Sequence, residues 1–345
     1  MGGILKRLLN TLYVTNPDAL VRKKDDAISV SVDGKQIMSV PFHVLEGVVL
    51  FGHVGCSAAF LSACAEHGVG VVLLDERGRF KARVEGPVSG NVLLRREQYR
   101  RADDEDARLR LAKRFLLGKL HNSLVVLQHY ARDYPELHDE LDSTIEALQS
   151  STSAVLATVS HYELLGIEGD SAHRYFSVFG TLLRVESPEG LFSGRSRRPP
   201  KDPVNAALSL FYSMLSRELA TACESVGLDP QLGYLHSCRP GRASMALDLI
   251  EELRAPYVDR FVLSLFNRRQ IDRTDFSVDA EGGYSFNERS LKKVLGLWQQ
   301  RKQEEIMHPF LKQRIPMGLI PFTQAQLLAR HLRGDLDDYP AYMWR

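Results

Sequence analysis

Residues 27–40 read Ala27-Ile28-Ser29-Val30-Ser31-Val32, then Asp33-Gly34, then Lys35-Gln36-Ile37-Met38-Ser39-Val40. Apolar and polar residues alternate on both sides of Asp33-Gly34, the period of a strand with one buried face. Asp-Gly between two such runs marks a hairpin, because both central turn positions need positive φ. Outward from this hairpin, further strands are expected at 11–15, 47–51 and 69–74, and at 80–84 after an Arg77-Gly78 turn. One helix is expected near 57–67, with Ser57 as its cap. The first 85 residues therefore read as a small β-rich domain.

The period then changes. Gly86-Pro87-Val88-Ser89-Gly90 reads as a hinge, and from residue 91 the apolar spacing is helical. Helices are expected at 109–130, 140–165, 171–183, 203–226, 244–253, 258–265, 288–307 and 323–332. Asp202-Pro203 is a strong start signal, since Asp caps and proline at the first helical position forfeits no intrahelical bond. The fold class expected is α+β: a β-rich domain at 1–85, a hinge at 86–90 and an all-helical catalytic domain at 91–345.

Bulk composition narrows the function classes. A chain of 345 residues suits two hydrophobic cores. At 44% hydrophobic and 25% charged residues it is not a disordered chain. The formal net charge of +1 lacks the overall basicity of many nucleic-acid binders, so any such binding must rest on local patches. Cys56, Cys64, Cys223 and Cys238 lie too far apart for a zinc motif and too sparsely for a disulfide framework, and read as reduced, mostly buried thiols. The nearly uncharged run 47–65 holds His53, glycines and the Ser57 cap, so it reads as strand, turn and helix instead of a membrane span. With no signal-peptide pattern, and Lys6 where a myristoylation signal needs Ser or Thr, a cytoplasmic location is expected.

Three segments carry candidate chemistry: Leu164-Leu165-Gly166-Ile167-Glu168-Gly169-Asp170, Gly233-Tyr234-Leu235-His236, and Ala246-Leu247-Asp248-Leu249-Ile250-Glu251-Glu252. Taken singly, each has a plain reading: a glutamate at a helix mouth, a loop histidine, the wet side of an amphipathic helix. In the third segment Ala246, Leu249, Ile250 and Leu253 form an apolar stripe that leaves Asp248, Glu251 and Glu252 on the polar side. Periodicity does not choose between Glu251 and Glu252. Taken together, two carboxylates and an imidazole suit a divalent ion that must also bind phosphate and water, Mg²⁺ or Mn²⁺.

The segments Leu164 to Phe176 (LLGIEGDSAHRYF), Asp202 to Leu215 (DPVNAALSLFYSML) and Gly227 to Arg260 (GLDPQLGYLHSCRPGRASMALDLIEELRAPYVDR) resemble the CRISPR-associated integrase family, Cas-one, and most nearly its members from type I-C systems. The resemblance runs over nearly the whole chain. It implies that Glu168, His236 and Glu251 hold a catalytic metal and that Asp248 supports the site. It also implies a metal-dependent DNA integrase and endonuclease, in which the 3′-hydroxyl of a captured double-stranded DNA fragment attacks a phosphodiester of the CRISPR repeat. The partners implied are a second copy of the chain, paired through the β-rich domain, and the small protein Cas-two.

Phosphate contacts are expected from Arg195, Arg197, Arg198 and Lys201, in a Gly/Pro-rich loop, and from Arg239 and Arg242 beside His236. Arg95, Arg96, Arg100 and Arg101 form a further basic run whose plain reading is a solvated helix face. The aromatic tail Tyr339-Pro340-Ala341-Tyr342-Met343-Trp344-Arg345 reads equally as a docking segment or as a tail folded on its own domain. Two other functions fit the same residues: a metal-dependent nuclease that never integrates, and a non-catalytic DNA-binding scaffold.

Overall fold

The computed structural model describes residues 6–8, 11–45, 47–75, 80–84, 86, 92–186 and 188–345. The Arg77-Gly78 turn, the beginning of the helix expected from 91 and, apart from Gly86, the hinge at 86–90 lie outside the described residues.

The chain begins with strands β1 (Lys6–Leu8), β2 (Thr11–Val14), β3 (Ala19–Lys24), β4 (Ala27–Val32), β5 (Lys35–Pro41), β6 (Gly47–Phe51) and β7 (Gly55–Cys56), helix α1 (Ala58–Glu66), and strands β8 (Gly70–Leu74) and β9 (Phe80–Val84). Helices follow: α2 (Val92–Asp103), α3 (Glu105–Asp133), α4 (His138–Ala157), α5 (His161–Ser177), α6 (Pro203–Ser225), α7 (Ser244–Glu251) and α8 (Arg260–Asn267). The last part runs β10 (Phe276–Val278), β11 (Tyr284–Phe286), α9 (Glu288–Gln303), β12 (Glu305–Met307), β13 (Arg314–Pro316) and α10 (Ile320–Arg333). Two compact units form: 1–89 with 286–304 and 316–318, and 90–285 with 305–315 and 319–345.

In the first unit, strands order β1-β2-β6-β8-β9 in one sheet and β5-β4-β3-β7 in another. The Asp33-Gly34 hairpin joins β4 to β5 with φ of 51° and 74°, the two positive values that Asp-Gly supplies at low cost. Ser57 caps α1 by accepting the Phe60 N–H at 3.2 Å. Val21, Val30, Val48, Leu50 and Phe60 fill the core between these elements. Strand β3 escapes the sequence pattern because its alternation dissolves into Arg22-Lys23-Lys24, all exposed.

In the second unit the long helix α6 is largely buried and is opened by Asp202 accepting the Asn205 N–H at 2.7 Å, with Pro203 at its first position. Two findings correct the sequence reading. The helix expected at 140–165 and the one at 171–183 are instead α4 and α5, parted at Thr158-Val159-Ser160, where the Ser160 hydroxyl accepts the Glu163 N–H and starts α5. Gly166 and Gly169 do not break α5. The carboxy-terminal part is also not all helical, since β10 pairs with β11 and β12 with β13. The first of these ribbons turns at Gly282, φ 75°, with the Asp279 carboxylate accepting the Gly283 N–H at 2.8 Å.

Cys64 and Cys223 are buried, Cys56 is half-buried and Cys238 is exposed; all four are free thiols. Among the described residues, no helix is long and apolar enough to cross a membrane.

Candidate functional site

Helix α5 brings Glu168, α7 brings Asp248 and Glu251, and the connection between α6 and α7 brings His236. Residues 233–236 wrap around the Asp248 carboxylate. That group is fully buried and accepts the backbone N–H groups of Tyr234 (2.5 Å), Leu235 (2.9 Å) and His236 (2.9 Å). It also lies 2.8 Å from His236 Nδ1. The Nδ1–Asp248 hydrogen bond orients the ring and turns Nε2 away from Asp248. Nε2 faces Glu251 Oε1 at 3.9 Å. Gly233 makes the wrap possible, because a Cβ there would meet the Ser244 side chain at 2.8 Å and the His236 carbonyl oxygen at 2.9 Å.

Glu251 is 2% exposed, yet ringed by cations: Arg254 Nε lies 3.0 Å from Oε1 and Lys119 Nζ 2.8 Å from Oε2. Burial alone would push its carboxyl up, but Arg254, Lys119 and His236 together outweigh it and hold Glu251 well below the usual carboxylate range. The same Lys119 ammonium, on α3, is ion-paired with Glu168 Oε1. One cation thus spans two carboxylates from different helices, with an oriented imidazole beside them.

Glu252, next in the chain, points elsewhere. It is fully buried and accepts the Gln324 side-chain N–H at 2.9 Å, the Tyr342 backbone N–H at 2.8 Å and the Tyr339 hydroxyl. Burial pushes its carboxyl up to about 7. The polar side of α7 is therefore no wet face, since Asp248, Glu251 and Glu252 are all buried, each on a different set of polar partners. Glu252 instead anchors the aromatic tail. The tail folds on its own unit, with the Trp344 N–H donating to Asn122 Oδ1 at 2.8 Å and Arg260 stacked 4.0 Å over the Trp344 ring.

The basic residues divide. Arg195 is turned inward, donating to Asn205 Oδ1 at 2.6 Å and lying 5.6 Å from the Tyr212 ring. Lys201 is exposed, though its ammonium donates to the Glu281 carbonyl at 2.9 Å. Arg197, Arg198 and Arg239 are exposed and Arg242 is half-buried. Arg197 lines a narrow pocket together with Lys119, Ser171, Tyr175, Tyr212 and Arg254. Arg101, from the basic run on α2, is held by Glu97 at 2.9 Å and by His331. Two site residues had no sequence signal. Lys119 is one of two lysines on a long amphipathic helix, and Arg254 follows the apolar stripe of α7.

Could these groups hold a metal? Among the described residues, no three His, Cys, Asp or Glu side chains stand together in a geometry ready for a metal ion. The donor set nevertheless fits one: two carboxylates already gathered on a cation, and an imidazole whose second nitrogen is held by a buried carboxylate.

A family model described as CRISPR associated protein Cas1 matches residues 12–300. The chain is 46% identical over 350 residues to CRISPR-associated endonuclease Cas1 2 of Rhodospirillum rubrum, covering 99% of this chain and 100% of that one. The chain belongs to the Cas1 family. A second Cas1 relative, CRISPR-associated endonuclease Cas1 1 of Chlorobaculum tepidum, is 43% identical over 343 residues, covering 99% of this chain and all of its own. The fold is shared with a Cas1 protein from Thermotoga maritima, at a TM-score of 0.80 and 22% identity over 94% of this chain and 97% of that one. It is shared also with a casposase bound to integration product, at a TM-score of 0.83 and 24% identity over 97% of this chain and 95% of that one.

Proposed function

We propose that the chain is a metal-dependent DNA integrase and endonuclease of CRISPR adaptation, with Glu168, His236 and Glu251 as the metal ligands and Asp248 as the group that orients His236. The observation that carries this reading is the pinning of Glu168 and Glu251 on one cation beside an imidazole whose Nε2 lies 3.9 Å from Glu251 Oε1. Bound Mg²⁺ or Mn²⁺ would polarise a phosphoryl oxygen and lower the pKa of an attacking hydroxyl. Asp248 keeps Nδ1 protonated and so presents Nε2, not N–H, to the ion. Arg254 holds Glu251 in one rotamer and keeps it ionised despite its burial. Arg197 and Arg254, on the pocket beside Lys119, offer positive charge to a phosphodiester backbone.

The reaction proposed is transesterification, in which a DNA 3′-hydroxyl attacks a phosphodiester of the repeat, a P–O bond forms, and the displaced 3′-oxygen leaves with a proton. The type I-C affiliation, a homodimer formed through the amino-terminal β-rich domain, the Cas-two partner, the domain limits at 1–85 and 91–345 and a cytoplasmic location belong to the same proposal. The names of the Cas1 relatives, endonucleases, favour a second reading in which water replaces the hydroxyl and the product is a nick. Double-stranded fragments with free or dideoxy-blocked 3′-ends, supplied with a repeat-bearing duplex, the purified partner and Mn²⁺, separate the two. Joining that needs the free 3′-hydroxyl and fails in Glu168→Ala and His236→Ala supports integration; cleavage alone, equal with both fragments, supports the nuclease. Activity at the parent rate in either variant would remove the metal site from both readings.

A further inference from the structure

We infer that Lys119 is the internal counter-ion of the site: its ammonium holds Glu168 and Glu251 together in the metal-free protein and must leave their shared edge when a divalent ion binds. The inference rests on the metal-site reading above and adds a residue to it.

The Lys119 side chain is 12% exposed and reaches both carboxylates, at 2.8 Å from Glu251 Oε2 and in direct contact with Glu168 Oε1. Its backbone has no freedom to follow. Leu116, Phe115 and Leu120 around it on α3 are buried, and Asn122, one turn on, donates to the carbonyls of Glu252 at 2.6 Å and Tyr342 at 2.7 Å. Only the four-carbon stem can swing.

Charge decides what happens next. Glu168 and Glu251 carry two negative charges and Lys119 and Arg254 two positive ones, while the Asp248 carboxylate beside them is taken up by backbone N–H groups and the His236 ring. Without Lys119, Glu251 would keep Arg254 while Glu168 would lose its cation beside a second carboxylate, and repulsion would push the two carboxylates apart. A divalent ion held by Glu168 and Glu251 would compete for their charge with an ammonium at ion-pair distance. Metal binding therefore competes with Lys119, and the lysine is a positioning residue whose removal should tighten metal binding. A lysine that merely filled space would, when removed, loosen the site and weaken it.

The test is Mn²⁺ binding by calorimetry on the metal-free full-length chain, without DNA, for the parent, Lys119→Met, Lys119→Arg and Glu251→Gln, with thermal unfolding of each. Lys119→Met should bind Mn²⁺ roughly tenfold more tightly than the parent, melt lower without metal and regain more on adding it. Lys119→Arg, which restores the charge, should return to the parent affinity. Affinity unchanged or weakened in Lys119→Met, while Glu251→Gln abolishes binding, overturns the counter-ion and leaves the metal site standing. Binding in Glu251→Gln equal to the parent overturns both. If Lys119→Met unfolds without metal, tighter apparent binding is read instead from the Mn²⁺ concentration that restores its folded circular dichroism, and a requirement above the parent Kd overturns the inference.

Discussion

Asp248 and Glu252 show how two carboxylates of one short helix acquire different duties from their surroundings. Asp248 is committed through both oxygens to N–H donors on residues 234–236 and to the His236 ring, so in its amide variant an NH2 group would face some of these donors and loosen the hold on His236. Asp248→Asn should lower Mn²⁺ affinity by roughly ten- to a hundredfold, measured by calorimetry, with the far-ultraviolet spectrum unchanged. Glu252 does something else. Burial lifts its folded pKa to about 7 from the usual 4.5, which favours the protonated form in the native state. The stability it contributes is then complete below pH 4.5 and lost as pH rises through 7. Buried Asp259, raised by its burial to about 6 from 3.8 and paired with the Tyr212 hydroxyl, acts in the same direction. Urea midpoints of the parent should therefore fall between pH 5 and pH 8, and Glu252→Gln should reduce that fall while Asp259 keeps the remainder. A fall of equal size in the variant would show that Glu252 is ionised throughout.

At the scale of the element, α5 and the loop before α7 use glycine for opposite reasons. Gly166 lies on an exposed stretch of α5 where an added Cβ would meet nothing within 4 Å. Gly166→Ala should therefore stabilise the metal-free protein by about 0.5–1 kcal/mol, seen as a raised melting temperature. At Gly233 the same added atom would fall within 2.9 Å of the His236 carbonyl oxygen and the Ser244 backbone. Gly233→Ala should open the wrap around Asp248 and lower the melting temperature. The G-I-E-G segment looks like a helix breaker because two glycines flank the glutamate, but Ser160 starts the helix upstream and no neighbour crowds it, so α5 runs through. Glu168 is consequently presented from the side of a helix, not from its mouth.

Over the whole molecule the net charge of +1 leaves DNA binding to local positive residues. Arg197 and Arg198 are exposed, whereas Arg195 is inside on Asn205 and the Tyr212 ring. Removing Arg197 and Arg198 together should reduce the slope of log affinity against log salt by about two units at most, measured by fluorescence anisotropy on duplex DNA. Arg195→Ala should leave the slope alone and lower stability instead. A slope that drops with Arg195 would place that guanidinium outside in the bound state.

The order of β-rich and helical parts, the Asp33-Gly34 hairpin and the caps at Ser57 and Asp202 were legible in the sequence, because periodicity, caps and turns act over a few residues, whereas the three segments of the candidate site stood out only through their donor chemistry and the family resemblance. Strand β3 and the ribbons after Phe276 were less so, since charged residues and short lengths blur the two-residue period. What local sequence pattern left open was the choice between Glu251 and Glu252, which only the family resemblance made, together with the inward turn of Arg195, the fate of the aromatic tail and the place of Lys119 in the site. Those depend on which side chains from distant helices meet in one buried volume. Neighbours on α7 point about 100° apart, and only packing puts Lys119 and His236 on one side of that helix and Gln324 with Tyr339 on the other.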